Sequence, residues 1–177
     1  GNPIVTDVLP LVDALSADRL VQLAQSVEKG TQHPLAIAIQ QAAADKKLTP
    51  LKAENFMTRA GLGVSATLLP ADISVSDSNC SDSNCSDIND EAPLGRQIFL
   101  GNRSWMQLHQ CTVGSTATQL AEGLAKDGKT VVFVACDQQL VGLIGVTDTL
   151  RPEAEATIGQ LNRLGIETQI LSGDSLA

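Results

Sequence analysis

The sequence predicts an α/β (α+β) chain: an antiparallel sheet flanked by a helical hairpin and further helices, followed by a strand–helix–strand (βαβ) piece of different architecture. Three observations carry this reading. Two early segments repeat apolar residues at helical spacing, short β-branched runs alternate with glycine- or aspartate-bearing turns, and beyond Leu140 the order becomes strand, helix, strand.

Ile4–Leu11 is β-branched and apolar, and Ser16 is placed to cap a helix over Ala17–Lys29, where Leu20, Leu23, Ala24 and Val27 recur on one face. Gly30 reads as its C′ residue. A second helix begins at His33–Pro34, with proline at the first helical position and Leu35, Ala38, Ile39 and Ala42 on one side, so the two helices form a hairpin. Ala53–Arg59 and Val64–Leu69 read as strands about Ala60–Gly61–Leu62–Gly63, a turn whose glycines allow positive φ and close backbone approach. From Ala71 to Pro93 the composition shifts to Asp, Ser and Asn, with a tandem SDSNC repeat ending at Cys80 and Cys85 and no apolar period, which predicts a disordered surface insertion. Arg96–Leu100 resumes as a strand, Asn102–Gln110 reads as a short helix, and Thr116–Lys126 is amphipathic through Leu120, Ala121 and Leu124 until Asp127–Gly128 stops it. Thr130–Cys136 and Leu140–Val146 are strands joined by a hairpin at Asp137–Gln139. The strand Leu140–Thr147, a helix over Pro152–Leu164 closed by Gly165, and a strand over Thr168–Leu171 compose the βαβ unit, which implies parallel pairing.

Composition narrows the function. Of 177 residues, 43% are hydrophobic and 18% charged, which supports a packed core. Twelve basic against twenty acidic residues leave a net charge of −8, the wrong sign for a phosphate backbone, and three Phe, one Trp and no Tyr build no base-stacking platform. Nucleic acid is therefore excluded as a partner. No apolar run approaches the roughly 20 residues that cross a bilayer, and Gly1–Asn2–Pro3 opens neither a basic nor an apolar leader, so a soluble domain is expected. The four cysteines read as reduced thiols of a cytosolic domain, since a chain this size needs no disulfide staples.

Several short motifs carry chemistry, each beside a plainer role. His33 sits at a helix start and is either a cap or a ligand-facing imidazole; Glu28 closes the preceding helix, so the hairpin can bring a carboxylate and an imidazole together. Gly61 and Gly63 make a tight turn or a place where a phosphate meets bare backbone. Gly101–Asn102 follows a buried strand and precedes a helix, as a turn with an Asn N-cap or as free N–H groups for an anion or ribose. Asp148–Thr149–Leu150–Arg151–Pro152 and Ser172–Gly173–Asp174 each follow a strand of the βαβ unit, where such sheets place ligands. Cys80 and Cys85, at C-x4-C spacing near carboxylates, offer a soft-metal pair, whereas Cys111 and Cys136 read as inert and His109 as a helix-terminal surface residue.

In this order, Glu28-x4-His33-Pro34, Gly61-x-Gly63, Gly101-Asn102-Arg103, Asp148-Thr149-Leu150-Arg151-Pro152 and Ser172-Gly173-Asp174 resemble the cytosolic nucleotide-binding region of the heavy-metal-transporting P-type ATPases, the copper pumps above all. The resemblance covers the chain except Ala71–Pro93. It implies that residues 1–6 follow the phosphorylation motif, that 7–143 form the nucleotide-binding domain with 71–93 inserted, and that 144–177 begin a Rossmann-like phosphorylation domain. It assigns Glu28 to the adenine amine, His33 to orienting the nucleotide, Gly61 and Gly63 to close approach near the phosphates, and Gly101 and Asn102 to the rim of that pocket. Asp148 and Arg151 match the hinge motif; Gly173 and Asp174 match the Thr-Gly-Asp phosphate loop, with Ser172 for the usual Thr and Ser175 for the usual Asn. The implied cofactors are ATP and, in the full pump, Mg2+. The implied partners are the pump's own phosphorylation, actuator and membrane domains, with a copper chaperone for the full protein, at the cytosolic face of a membrane. The chain alone is expected to bind ATP without hydrolysing it. A reading of a different class is a non-catalytic, acidic, metal-presenting domain that offers Cu(I) through Cys80 and Cys85.

Overall fold

The computed structural model describes residues 2–28, 33–69, 96–149, 152–166 and 169. Its centre is a six-stranded antiparallel sheet in the order β1-β6-β5-β4-β3-β2, with β1 at Asn2–Pro10, β2 at Ala53–Arg59, β3 at Gly63–Leu68, β4 at Gln97–Gly101, β5 at Thr130–Cys136 and β6 at Gln139–Thr149. The strands lie close to where the apolar runs place them, because each run is bounded by a residue that turns the chain. Gly61 takes φ +74° between β2 and β3, and Asp137 takes φ +55° in the two-residue connection that pairs Cys136 with Gln139.

Both faces of the central strands are covered, which explains why β4 and β5 read as nearly unbroken apolar runs. On one face α1 (Ala17–Val27) and α2 (Pro34–Asp45) set Leu20, Ala24, Val27 and Ile39 against Val64, Ile98, Leu100, Val132, Val134 and Ile144. On the other, α3 (Arg103–Leu108) and α4 (Ser115–Lys126) set Trp105, Met106, Ala117 and Ala121 against Phe99, Phe133, Ala135 and Leu143. The period of two sends Val132 and Val134 one way and Phe133 and Ala135 the other.

Helix ends follow local chemistry. Ser16 Oγ accepts from the Arg19 N–H at 3.1 Å and starts α1, which ends at Val27, with Glu28 as its C-cap. That is two residues short of the expected Lys29; Gly30 lies outside the described residues. Ser26 Oγ donates to Gln22 O at 2.6 Å and accepts from the Leu51 N–H at 2.8 Å, so α1 also anchors the segment leading into β2.

At the C-terminal end, β6 runs unbroken through positions 143 and 144 and pairs antiparallel with both β1 and β5. A helix, α5 (Pro152–Arg163), follows, but of the strand expected over Thr168–Leu171 only Gln169 is described, so the parallel partner of a βαβ unit lies outside the described residues, as do the insertion over 71–93 and its Cys80 and Cys85.

Asp7 on β1 accepts from Lys129 Nζ at 2.7 Å and from Thr6 Oγ1 at 2.7 Å. The Lys129 hydrogen bond, then that of Thr6, holds its carboxyl below the usual range. A depressed carboxyl stabilises the fold above its unfolded value of about 3.9, and that contribution is lost as pH falls through the lower folded value. Urea midpoints are therefore expected to fall more steeply below about pH 4 in the native chain than in Asp7→Asn. Parallel acid limbs would show that the carboxyl is not depressed.

Candidate functional site

At the β3-start and β4-end edge of the sheet a cleft of about 270 Å³ opens between the helical hairpin and four strands. The hairpin contributes Glu28, His33 and Leu35; the β2–β3 turn contributes residues from Thr58 to Val64; the end of β4 contributes Leu100, Gly101 and Asn102; the start of β5 contributes Thr130, Val131 and Val132. Its walls are largely aliphatic, with polar groups at a few points, which is the usual make-up of a small-molecule site. Its volume sits just under the roughly 300 Å³ at which sites for whole drug-sized ligands begin.

All six residues singled out along the sequence for this region, Glu28, His33, Gly61, Gly63, Gly101 and Asn102, line this one cleft. Glu28 is only 5% exposed. Its N–H donates to Ala24 O at 3.2 Å and its carbonyl accepts from Gln40 Nε2 at 3.0 Å, so both helices of the hairpin fix its backbone. A carboxylate at a helix C-terminus lies against the negative end of the macrodipole, so helix stability gives no reason for it to be there.

His33 takes the capping role of its two readings. Nδ1 accepts from the Leu35 N–H at 3.3 Å and caps α2, with Pro34 behind it. With Nδ1 accepting, Nε2 carries the ring proton and is the donor available to anything in the cleft.

The glycines have a packing reason on the sheet's other face. Gly63 and Gly101 are cross-strand partners, and Trp105 of α3 lies over them. A Cβ at Gly63 would come within 2.6 Å of Trp105 Cδ1, and one at Gly101 within 2.8 Å of the same atom and 2.7 Å of Gly63 Cα. Because Val64 and Leu100 face the helical hairpin, alternation sends Gly63 and Gly101 toward Trp105. Trp105 Nε1 donates to Val64 O at 3.1 Å and fixes the ring there.

Asn102 staples this edge. Its Nδ2 donates to Gly61 O at 2.9 Å, its N–H donates to Leu62 O at 2.9 Å, and its Oδ1 accepts from the Trp105 N–H at 2.9 Å as the N-cap of α3. The amide is thus engaged by protein at both ends.

Sequence reading missed Arg59, Leu35, Thr58 and Thr130 to Val132. Among the described residues lining the cleft, Arg59 is the one side chain of permanent positive charge. Its place immediately before the glycine turn was the available signal. His109 requires correction: it is not a simple surface residue. As the C-cap of α3 its ring folds back onto Phe99, centroids 4.4 Å apart, and edge-on to Trp105 at 4.3 Å, and burial lowers its basicity. Burial likewise raises the Cys111 and Cys136 thiols, both free, which keeps them protonated.

Asp148 is not part of the cleft; it stands on β6 opposite Pro3. Arg151, Gly173 and Asp174 lie outside the described residues. Among the described residues no group of three His, Cys, Asp or Glu could hold a metal ion, and no helix is long and apolar enough to cross a membrane.

A family model of the haloacid dehalogenase-like hydrolases matches residues 1–177. The chain belongs to that family. This hydrolase domain is 30% identical over 175 residues to a copper-exporting P-type ATPase of Bacillus subtilis, covering 99% of the chain and 18% of the relative. It is 33% identical over 174 residues to a probable copper-transporting ATPase, SynA, of Synechococcus elongatus, covering 98% of the chain and 18% of the relative. The hydrolase domain thus spans less than a fifth of the curated relatives it matches. Among solved structures it is similar to a zinc-transporting PIB-type ATPase in the E2.Pi state, with TM-score 0.65 and 29% identity over 99% of this chain and 24% of that one. It also shares the fold of the N-domain of HMA6, a copper-transporting P-type ATPase, with TM-score 0.58 and 23% identity over 83% of this chain and all of that one.

Proposed function

We propose that this hydrolase domain is the ATP-binding part of a heavy-metal P-type ATPase, with copper or another heavy metal as the cargo of the whole pump, and that the cleft takes the adenosine end of ATP. The observation that carries the reading is the convergence of a buried carboxylate and a helix-capping imidazole on one small aliphatic cleft. The base lies between aliphatic walls, Glu28 accepts from its exocyclic amine, and the His33 Nε2–H donates to an acceptor of the nucleotide. Gly61, whose Cβ would meet nothing within 4 Å, leaves the turn low, so the phosphates pass over it toward Arg59 and out of the cleft, while Gly63 serves by letting the turn seat against Trp105 behind it. Mg2+ accompanies the phosphates of ATP, but the described residues offer no cluster to hold it, and no step here depends on it. Phosphoryl transfer to an aspartate, the Asp148–Arg151 hinge and the Gly173–Asp174 loop belong to the same proposal, carried by the sequence resemblance.

The chain is acidic, and its one G-x4-G-K-T string, Gly123–Thr130, ends α4 and leads into β5 instead of opening a helix, with Lys129 paired to Asp7; it gains little from a triphosphate, so a Kd of about 0.1–1 mM is expected, or roughly −5.5 to −4 kcal/mol. In an NMR titration with ATP the amides of 28, 33, 61–63 and 101–102 are expected to move together. Glu28→Ala and His33→Ala should each weaken binding about five- to tenfold, the loss of one hydrogen bond to a ligand group, with the spectrum otherwise preserved. Shifts confined to other surfaces, or a low-nanomolar Kd, would overturn the assignment of this cleft.

A further inference from the structure

The ladder of β1 with β6 outlasts the rest of the sheet. The pairing of β5 with β6 ends at Thr130↔Val146, whereas β1 continues alongside β6 through Ile4↔Thr147, Pro3↔Asp148 and Asn2↔Thr149. Past the end of β5, β1 and β6 therefore run on together as a two-stranded ribbon. An isolated two-stranded ribbon is marginally stable in water, so its direction has to be set where it departs.

At that level the structure is unusually specific. A bulge between Val5 and Asp7 displaces Thr6, and Asp7 pairs with Gly145, which on its other side pairs with Val131. Lys129, in the turn between α4 and β5, reaches across β6 to Asp7 with Nζ 2.7 Å from Oδ2. It crosses where β6 has no side chain: a Cβ at Gly145 would lie 2.9 Å from Asp7 Oδ2 and 3.1 Å from Asp7 Cβ. Thr6 Oγ1 donates to the same carboxylate and stands 3.3 Å from Thr147 Oγ1, so the first residues of the ribbon are drawn into the cluster. The ion-paired side chains are 25% and 21% exposed, less open to solvent than the Lys46–Asp18 pair at 43% and 59%.

We propose that Asp7 and Lys129, seated over Gly145, are positioning residues that clamp the ribbon and fix the direction in which it leaves the sheet. Lys129 directly precedes Thr130 at the cleft wall, so the clamp ties the ribbon to the cleft-lining end of β5. Its purpose rests on the nucleotide-cleft reading: a clamped ribbon holds the cleft at a set angle to whatever the ribbon joins it to. The clamp itself does not depend on ATP.

The test is hydrogen exchange on the 177-residue chain without nucleotide, comparing ribbon amides at 4, 5, 147 and 148 with β3 and β4 amides as internal reference. Lys129→Met should speed ribbon exchange roughly three- to tenfold, leave β3 and β4 unchanged, and move the ATP Kd less than about twofold. Raising salt should speed ribbon exchange in the native chain and not in Lys129→Met. The exchanged pair Asp7→Lys with Lys129→Asp should recover part of the protection, which a purely local packing role would not. Ribbon exchange unchanged in Lys129→Met, or raised equally in β3 and β4, would overturn the clamp. A loosened ribbon in a chain that does not bind ATP would support the clamp and remove the nucleotide reading.

Discussion

Trp105→Ala is expected to lower the unfolding free energy by about 3–5 kcal/mol, the range for deleting a large buried aromatic. The ring is 1% exposed, packs over Gly63 and Gly101, and meets the His109 ring edge-on. Its removal leaves a cavity whose floor is backbone, which relaxes little, and takes the Nε1–H from Val64 O, a further loss of about 1 kcal/mol included in that range. Trp105→Phe keeps most of the volume and should fall between the two. Because Trp105 is the chain's one tryptophan, the measurement is urea unfolding followed by circular dichroism rather than intrinsic fluorescence. A shift below about 1 kcal/mol for the alanine variant would mean the back wall of the cleft is not built on this ring.

Gly101→Val is expected to be the most damaging change at the cleft itself. The new side chain would meet Gly63 Cα at 2.7 Å, Trp105 Cδ1 at 2.8 Å and also the Leu62 carbonyl, so two of its three neighbours are backbone that no rotamer change can move. Overpacking of this kind costs about 1–3 kcal/mol or more, and relief would come from parting β3 and β4 at the cleft. ATP affinity should then fall at least tenfold in a variant that remains folded at low temperature. Two glycines serve as controls. Gly61→Ala meets nothing within 4 Å but sits at φ +74°, so it should cost about 1–2 kcal/mol through backbone strain alone. Gly123→Ala in α4 also meets nothing and has no positive φ, so it should stabilise by roughly 0.5–1 kcal/mol. If Gly101→Val and Gly61→Ala behaved alike, the close approach of Trp105 would not be the reason for glycine at 101.

What could be read from the sequence was what local rules determine. Apolar spacing in Leu20, Leu23, Ala24 and Val27 located α1, and Pro34 after His33 located the start of α2 within one residue. The glycine positions were legible too, but not their cause, because Trp105 meets Gly63 across some forty positions and no local pattern encodes that contact. His109 was misjudged for a different reason: Trp105 stands four residues before it, at the spacing that sets two helix side chains together, while its other partner, Phe99, comes from β4. Arg59 had a local signal in its place before the glycine turn, but Thr130 joins the cleft because the start of β5 lies at the same edge as the end of β2, a matter of strand order that periodicity does not reveal. The pairing of Glu28 with His33 followed from the helical hairpin, whereas grouping them with Gly61 and Asn102 came from the family resemblance.

The register of β3 with β4 has a consequence for how this chain can change over generations. Thr67 pairs with Gln97, so positions 69–96 leave and rejoin the sheet between adjacent strands, at the end opposite the Gly63↔Gly101 pair that borders the cleft. Closing a connection between fixed neighbouring ends grows costlier by only about 0.6 kcal/mol for each doubling of its length, so reducing it to a handful of residues would alter stability by about 2 kcal/mol. Length there is therefore nearly free to drift, while the opposite ends of the same two strands have no room for even one added methyl group.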